Sequence, residues 1–236
     1  MTSSQLAPRG VERALAGKRR RYEGELARLL DAAVRVMRDR DTANPSVAEI
    51  LTESGLSTTA FYRHFPTKDD LLVTLLEHAH EVTRQHLEQR LATREDPVER
   101  IVEWVRGMFD LLRTDVLIRT NRPFLLAHPR LLERFPEEIG AGFEALAAPL
   151  TAAIRDARTA NSLPSDCAAV DARLAMHHVF GILIDQAALR RRSDRSTVDA
   201  VISYTLRAVL HTDAHPCDTR GQAAAGKPEP RGRSTH

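Results

Sequence analysis

Residues 46–72 read SVAEILTESGLSTTAFYRHFPTKDDLL, and this stretch decides the fold. Ser46 followed at the third position by Glu49 is a capping box, in which the hydroxyl takes an orphan backbone N–H and the carboxylate reaches back. A short helix follows, with Val47, Ile50 and Leu51 apolar. Gly55 stands where that helix must turn through a left-handed conformation. Ser57 can cap a second short helix that runs to Phe65. Pro66-Thr67 punctuates, and Thr67 with Asp70 repeats the capping pattern with aspartate in place of glutamate. Two short helices joined by Gly55-Leu56-Ser57 make a helix-turn-helix. Ile50, Leu56 and Phe61 can face inward and hold the pair at a steep angle. Ser57, Thr58 and Thr59 stay outward on the second helix, followed by Tyr62, Arg63 and His64. Small hydroxyl side chains at the start of a helix allow close approach to base edges in a major groove. Helix N-termini also attract phosphate.

Outward from this segment the chain predicts helices almost throughout, with no alternating strand pattern. Upstream, a helix is predicted from about Arg20 to Arg40, with Tyr22, Leu26, Leu29, Ala33 and Met37 forming one apolar stripe. Asn44-Pro45 ends it. Downstream, a long helix is expected from residue 67 to about Thr93. Asp96-Pro97 is a cap with a first-turn proline. Helices are then expected at about 97–113, 116–127, 131–160, 166–191 and 196–212, with Pro123, Pro129, Pro136 and Pro149 as interruptions. The expected layout is all-α. A disordered arm spans 1–17, a helix-turn-helix domain 18–75, a second helical domain 76–213 and a disordered tail 214–236. That tail has three prolines, three glycines and no leucine, isoleucine, valine or aromatic residue, too little apolar surface to fold alone.

Composition narrows the class. The 236 residues include 42% apolar and 28% charged side chains, ordinary for a soluble globular protein. No apolar run is long enough to span a membrane, and residues 1–25 are polar and basic rather than leader-like. Cys167 and Cys217 give neither a disulfide framework nor metal-type spacing, which fits a reducing, cytoplasmic setting. The net charge is only +2, yet residues 1–40 carry ten Lys/Arg against five Asp/Glu, with Lys18, Arg19, Arg20 and Arg21 in a run. That run reads equally as a phosphate-seeking arm or as a solvated one. No phosphate-binding glycine loop, nucleophile elbow or zinc-protease motif is present, so no enzyme, cofactor or metal is expected.

The string Gly55-Leu56-Ser57, then Phe61-Tyr62-Arg63-His64-Phe65, then Lys68-Asp69-Asp70-Leu71 resembles the DNA-binding domain of the TetR (tetracycline-repressor-like) family. In detail the resemblance covers about residues 22–75; beyond that it is one of length and helical layout. It implies that Ser46 contacts backbone phosphate, that Ser57, Thr58 and Thr59 lie in the groove, and that Tyr62, His64 and Lys68 meet the DNA backbone. Arg63 stands among these groups as a further DNA-binding candidate, and Phe61 and Phe65 are core. His64 also reads as a core aromatic, and Lys68 as a solvated side chain. The chain departs from the family at Leu51 and Ser54, where alanine is frequent. It departs again at Asp41 to Asn44, where a glycine is usual.

For the remaining helices the resemblance implies a ligand-binding and dimerisation domain. The helix at 196–212 carries Val198, Val201, Ile202, Leu206, Val209 and Leu210 as an interface stripe. Gly181 sits mid-helix at 166–191, where it permits close helix approach. An intramolecular core is the other reading of both. A homodimer would present two recognition helices to successive major grooves of a pseudo-palindromic double-stranded DNA operator, about 34–36 Å apart. Trp104, Met108, Phe109, Phe124, Phe143, His177 and Phe180 are the candidate walls of a pocket for a small, hydrophobic effector. His177 and His178 lie on different faces, and His128 has no metal-ligand partner at useful spacing. The expected function is a transcriptional repressor released by that effector. The alternatives are an activator or a ligand-independent DNA-binding protein of the same fold.

Overall fold

The structure is a computed structural model that describes residues 7–210. Among these residues there are nine α-helices and no strand. They are α1 (Ala7–Asp39), α2 (Val47–Ser54), α3 (Thr58–His64), α4 (Lys68–Leu91) and α5 (Pro97–Phe109). A 3-10 turn at Asp110–Leu112 leads to α6 (Asp115–Arg134), α7 (Pro136–Ala160), α8 (Ala168–Ala188) and α9 (Arg195–Leu210). Several ends are built by the local chemistry that the sequence advertises. Ser46 and Thr67 both close capping boxes, Ser57 accepts from the Ala60 N–H, and Asp96 caps α5 ahead of Pro97. Gly55 takes φ 64°, and an added Cβ there would lie 3.3 Å from the Arg28 guanidinium. That guanidinium donates to the Ser54 carbonyl at 2.5 Å, so a cation from α1 covers the negative end of α2.

Two apolar cores share α4. The first gathers Leu29, Ala33 and Met37 of α1, Ile50, Phe61, Phe65 and, from α4, Leu71, Leu72, Val73, Leu75 and Leu76. Ala127, Leu131 and Ile139 from α6 and α7 complete it, so the packing of this head runs past residue 75. The second core is built on Trp104, Val105 and Met108 of α5 with Leu87 and Leu91 of α4 and the inner faces of α7, α8 and α9. The indole N–H of Trp104 donates to the Leu146 carbonyl at 3.0 Å, which satisfies its one buried donor.

Several expectations need correction. Helix α1 starts at Ala7, so residues 7–17, read as a disordered arm, are helical. Alanine, arginine, glutamate and leucine in that stretch are good helix formers that continue an established helix, at one residue per hydrogen bond. Residues 1–6 and the 214–236 tail lie outside the described residues. Pro123 and Pro129 sit inside α6 and Pro149 inside α7, and only Pro136 marks a break, as the first residue of α7. Burial of Pro123 and of the helix faces around it outweighs the lost backbone bonds. The α9 stripe is turned inward: Val201, Ile202 and Val209 are buried in the chain's own core, with Val198, Leu206 and Leu210 against it. A Cβ at Gly181 would meet nothing within 4 Å, so among the described residues it makes no close helix contact. Cys167 is disulfide-bonded, and Cys217 lies outside the described residues.

Candidate nucleic-acid interface and effector cavity

The start of α3 presents Ser57, Thr58 and Thr59 to solvent, and Tyr62 one turn later is 54% exposed. Phe61 on the opposite face is fully buried, and its ring meets Tyr62 edge-on at 5.3 Å. That contact fixes the direction of the phenol. The Ser57 hydroxyl is engaged as a cap, and Ser46 both donates to and accepts from Glu49. The Lys68 ammonium donates to the Asn44 side chain. This bond brings the first turn of α4 beside the loop that enters α2, placing two helix N-termini and a lysine together. Helix dipoles and a cation there suit phosphate oxygens.

Helix α1 braces the recognition helix through one carboxylate. Glu25, 8% exposed, receives Arg21 at 3.0 Å, Arg63, and His64 at 3.3 Å. The Arg21 bond first, then those of His64 and Arg63, outweigh burial and hold the Glu25 carboxyl down at about 2. The His64 side chain is wholly enclosed, its ring 4.2 Å from that of Tyr22. His64 is therefore a positioning residue that ties α1 to α3, in line with its reading as a core aromatic. The position of Asp41 explains the departure from the family's usual glycine. It adopts φ 50°, a left-handed conformation that aspartate tolerates better than most residues.

Asp41 also joins the head to the rest of the chain. It pairs with Arg122 of α6 at 2.6 Å and with Arg190 just beyond α8. The Arg122 Nε donates to the Ala187 carbonyl at 2.8 Å. Arg190 is thus a cross-fold partner, and Arg192 likewise pairs with Asp115. Nearby, the buried Asp69 of α4 accepts from Arg130 at 2.5 Å and Arg134 at 2.9 Å, both on α6. Helix α6 is the element that grips both halves.

The other face of α6 lines a cavity of about 510 Å³ between α4, the 3-10 turn and α6. That size is in the range of small-molecule sites. Val34, Leu75, Val82, Leu111, Leu117 and Phe124 make it apolar; His78, His86, Asp110 and Arg113 also line it. A smaller chamber of about 40 Å³ shares Ala79, Thr83, Leu111, Asn121 and Phe124 with it and is further lined by His80, Met108, Leu125 and Phe180. Of the seven predicted pocket residues, Met108, Phe124 and Phe180 line this space. Phe143 stands behind it, in ring contact with His80 and Phe180. Trp104 is core, Phe109 borders a separate shallow cleft, and His177 lies on the exposed side of α8.

Sequence reading missed His80, Thr83, Leu111 and Asn121. His78, Ala79, Val82, Thr83 and His86 do recur on one face of α4 at helical spacing, a signal masked by the heavier aromatic residues elsewhere. His128, placed alone by sequence spacing, has its ring 6.1 Å from His80 and stacked on Phe143 at 4.7 Å.

Residues 29–75 match the family model described as bacterial regulatory proteins, tetR family. A comparison of the sequence with curated proteins finds no match. Among solved structures, RolR in complex with resorcinol is similar, with TM-score 0.62 and 21% identity over 89% of this chain and 98% of that one. Salmonella enterica GusR is similar with TM-score 0.60 and 19% identity over 80% of this chain and 96% of that one. FadR from Bacillus halodurans, a fatty acid degradation regulator, has TM-score 0.59 and 15% identity over 81% of this chain and 97% of that one. Residues 29–75 thus carry the DNA-binding segment of the tetR family of bacterial regulatory proteins, and the described chain shares its fold with regulators of known structure.

Proposed function

We propose that the chain is a sequence-specific DNA-binding transcriptional regulator, a repressor that leaves its operator when a small, hydrophobic ligand occupies the cavity beside α6. The observation that carries this reading is the exposed hydroxyl-rich start of α3, flanked by Tyr62 and Lys68 and braced from behind by Phe61 and the Glu25 hub. Ser57, Thr58 and Thr59 would meet base edges. Ser46, Tyr62 and Lys68 would meet phosphates. Arg63 reaches the DNA only by exchanging Glu25 for a phosphate.

Ligand release follows from the placement of α6. Its Asn121 and Phe124 line the cavity, while Arg122 between them holds Asp41 of the head. A ligand that fits only one setting of α6 biases the head toward one spacing. Other proteins of this fold are seen with resorcinol and with stearoyl-CoA, in RolR and in FadR from Bacillus subtilis. We further read the protein as a cytoplasmic homodimer. Leu174, at 61%, and Tyr204, at 54%, are large exposed side chains on α8 and α9, and Gly181 leaves the α8 face open. No helix among the described residues is long and apolar enough to cross a membrane.

The test is fluorescence anisotropy with duplex DNA tiled across the region upstream of the gene, at two salt concentrations. Selective, dimer-stoichiometric binding to one tile is expected. Lys68→Ala should weaken binding to all tiles and flatten the salt slope by about one unit. If the protein lacks even salt-sensitive nonspecific binding, the reading is wrong.

A further inference from the structure

The effector cavity ends in a polar corner that its apolar lining does not explain. His80 of α4 is 6% exposed and His128 of α6 is 3% exposed. Among the described residues, neither the Nδ1 nor the Nε2 of His80, nor the Nε2 of His128, finds a hydrogen-bond partner. Buried ring nitrogens without partners are uncommon, because the group has lost water and gained nothing. His80 is held in this position from behind. A Cβ on Gly142 would lie 2.0 Å from its Nδ1, so only glycine at that place on α7 admits the ring. The rings of Phe143 and His128 pack against it at 5.9 and 6.1 Å. A histidine so fitted and so unsatisfied lines the inner chamber, next to Met108, Phe124 and Phe180.

From this corner we infer the class of effector: an uncharged, mainly apolar molecule that carries a hydroxyl at its leading end, seated against His80. This rests on the effector reading of the cavity given above. A neutral imidazole offers one donor and one acceptor, and a hydroxyl can answer either, since it both gives and takes a hydrogen bond. An anion would find no charge to balance it there. Burial keeps both imidazoles neutral, pushing each down to about 4, with the neighbouring histidines adding to the effect on His128. Farther out, Arg113 is turned to Asp110 at 3.4 Å, and Asp110 is also held by Arg90, so neither charge is offered singly. A metal is not the answer either. Among the described residues no three metal-ligating side chains converge. The 510 Å³ outer cavity, with Val82, Leu111 and Leu117 in its wall, takes the apolar body, and Asn121 and Phe124 put it against α6.

The test is isothermal titration calorimetry of the full-length protein at neutral pH with three probes of one shape: 2-naphthol, 2-methylnaphthalene and 2-naphthoate. The proposal expects 2-naphthol to bind about tenfold more tightly than 2-methylnaphthalene, the effect of one added hydrogen bond, and 2-naphthoate to bind more weakly than 2-naphthol. His80→Leu should bring 2-naphthol down to the affinity of 2-methylnaphthalene and leave the latter unchanged. His80→Gln, which restores a donor and an acceptor, should recover part of the preference. Circular dichroism of each variant confirms its fold. Equal binding of the naphthol and the methyl compound would overturn the inference. So would tightest binding by the naphthoate, a naphthol preference that survives His80→Leu, or no binding of any probe. Operator binding by the same preparations is measured separately. If it persists while the probes fail, the ligand class is refuted and the regulator reading stands. If the probes bind as expected but leave the operator complex intact, the site stands and release by ligand fails.

Discussion

Replacing His80 by leucine should remove part of the protein's acid sensitivity, and the size follows from the burial of one ring. His80 titrates near 6.5 when solvated and is pushed down to about 4 by burial in the folded chain. The folded value lies below the unfolded one, so between the two the unfolded chain binds the extra proton. Stability is therefore full above the unfolded value, declines as pH drops through about 6.5, and stops declining below about 4. Between about pH 7.5 and about pH 5, the unfolded state gains roughly thirtyfold in weight from this one group, or about 2 kcal/mol. For a chain of this size that is about 4–8 °C in Tm. Leucine cannot bind the proton and orphans no ring nitrogen, so His80→Leu at neutral pH should match or exceed the wild type. At pH about 5 it should be the more stable protein by about 2 kcal/mol. Differential scanning calorimetry of both proteins at the two pH values reads the difference directly, with the other histidines and the carboxylates common to both. Parallel losses in the two proteins would show that the ring is hydrated in solution, and the burial argument would fall with it.

Gly142→Ala puts a methyl 2.0 Å from the His80 Nδ1, so the ring must move; a loss of about 1–3 kcal/mol by chemical denaturation is expected, and an unchanged midpoint would deny the close contact. The Glu25 carboxylate, held at about 2 by Arg21, His64 and Arg63, contributes stability that is complete above its unfolded value near 4.5 and lost as pH falls toward 2. Glu25→Gln should flatten the unfolding profile in that acid window and leave Arg63 free to turn; an identical acid profile would refute the hub. Asp41→Asn keeps a side chain suited to φ 50° but removes the partner of Arg122 and Arg190. It should cost about 1–2 kcal/mol of stability and reduce the effect of an effector on operator affinity. Full retention of that effect, measured by anisotropy, would exclude Asp41 as a link.

The sequence by itself determined the head. Caps at Ser46, Ser57 and Thr67, the turn at Gly55 and the apolar positions Ile50 and Phe61 are local signals acting over three or four residues. Such signals do not depend on what the rest of the chain does. The all-helical class and most helix boundaries came from the same short-range periodicity. Tertiary structure decided what local rules leave open. It kept Pro123, Pro129 and Pro149 inside helices, because burial of the surrounding faces outweighs a missing bond. It turned the α9 stripe inward, since an apolar face is blind to which surface covers it. It enclosed His64 and joined Asp41 to Arg122, 81 positions away. The cavity was the least legible feature. His80, Asn121 and Phe180 lie on three different helices, and only the crossing of those helices brings them to one chamber.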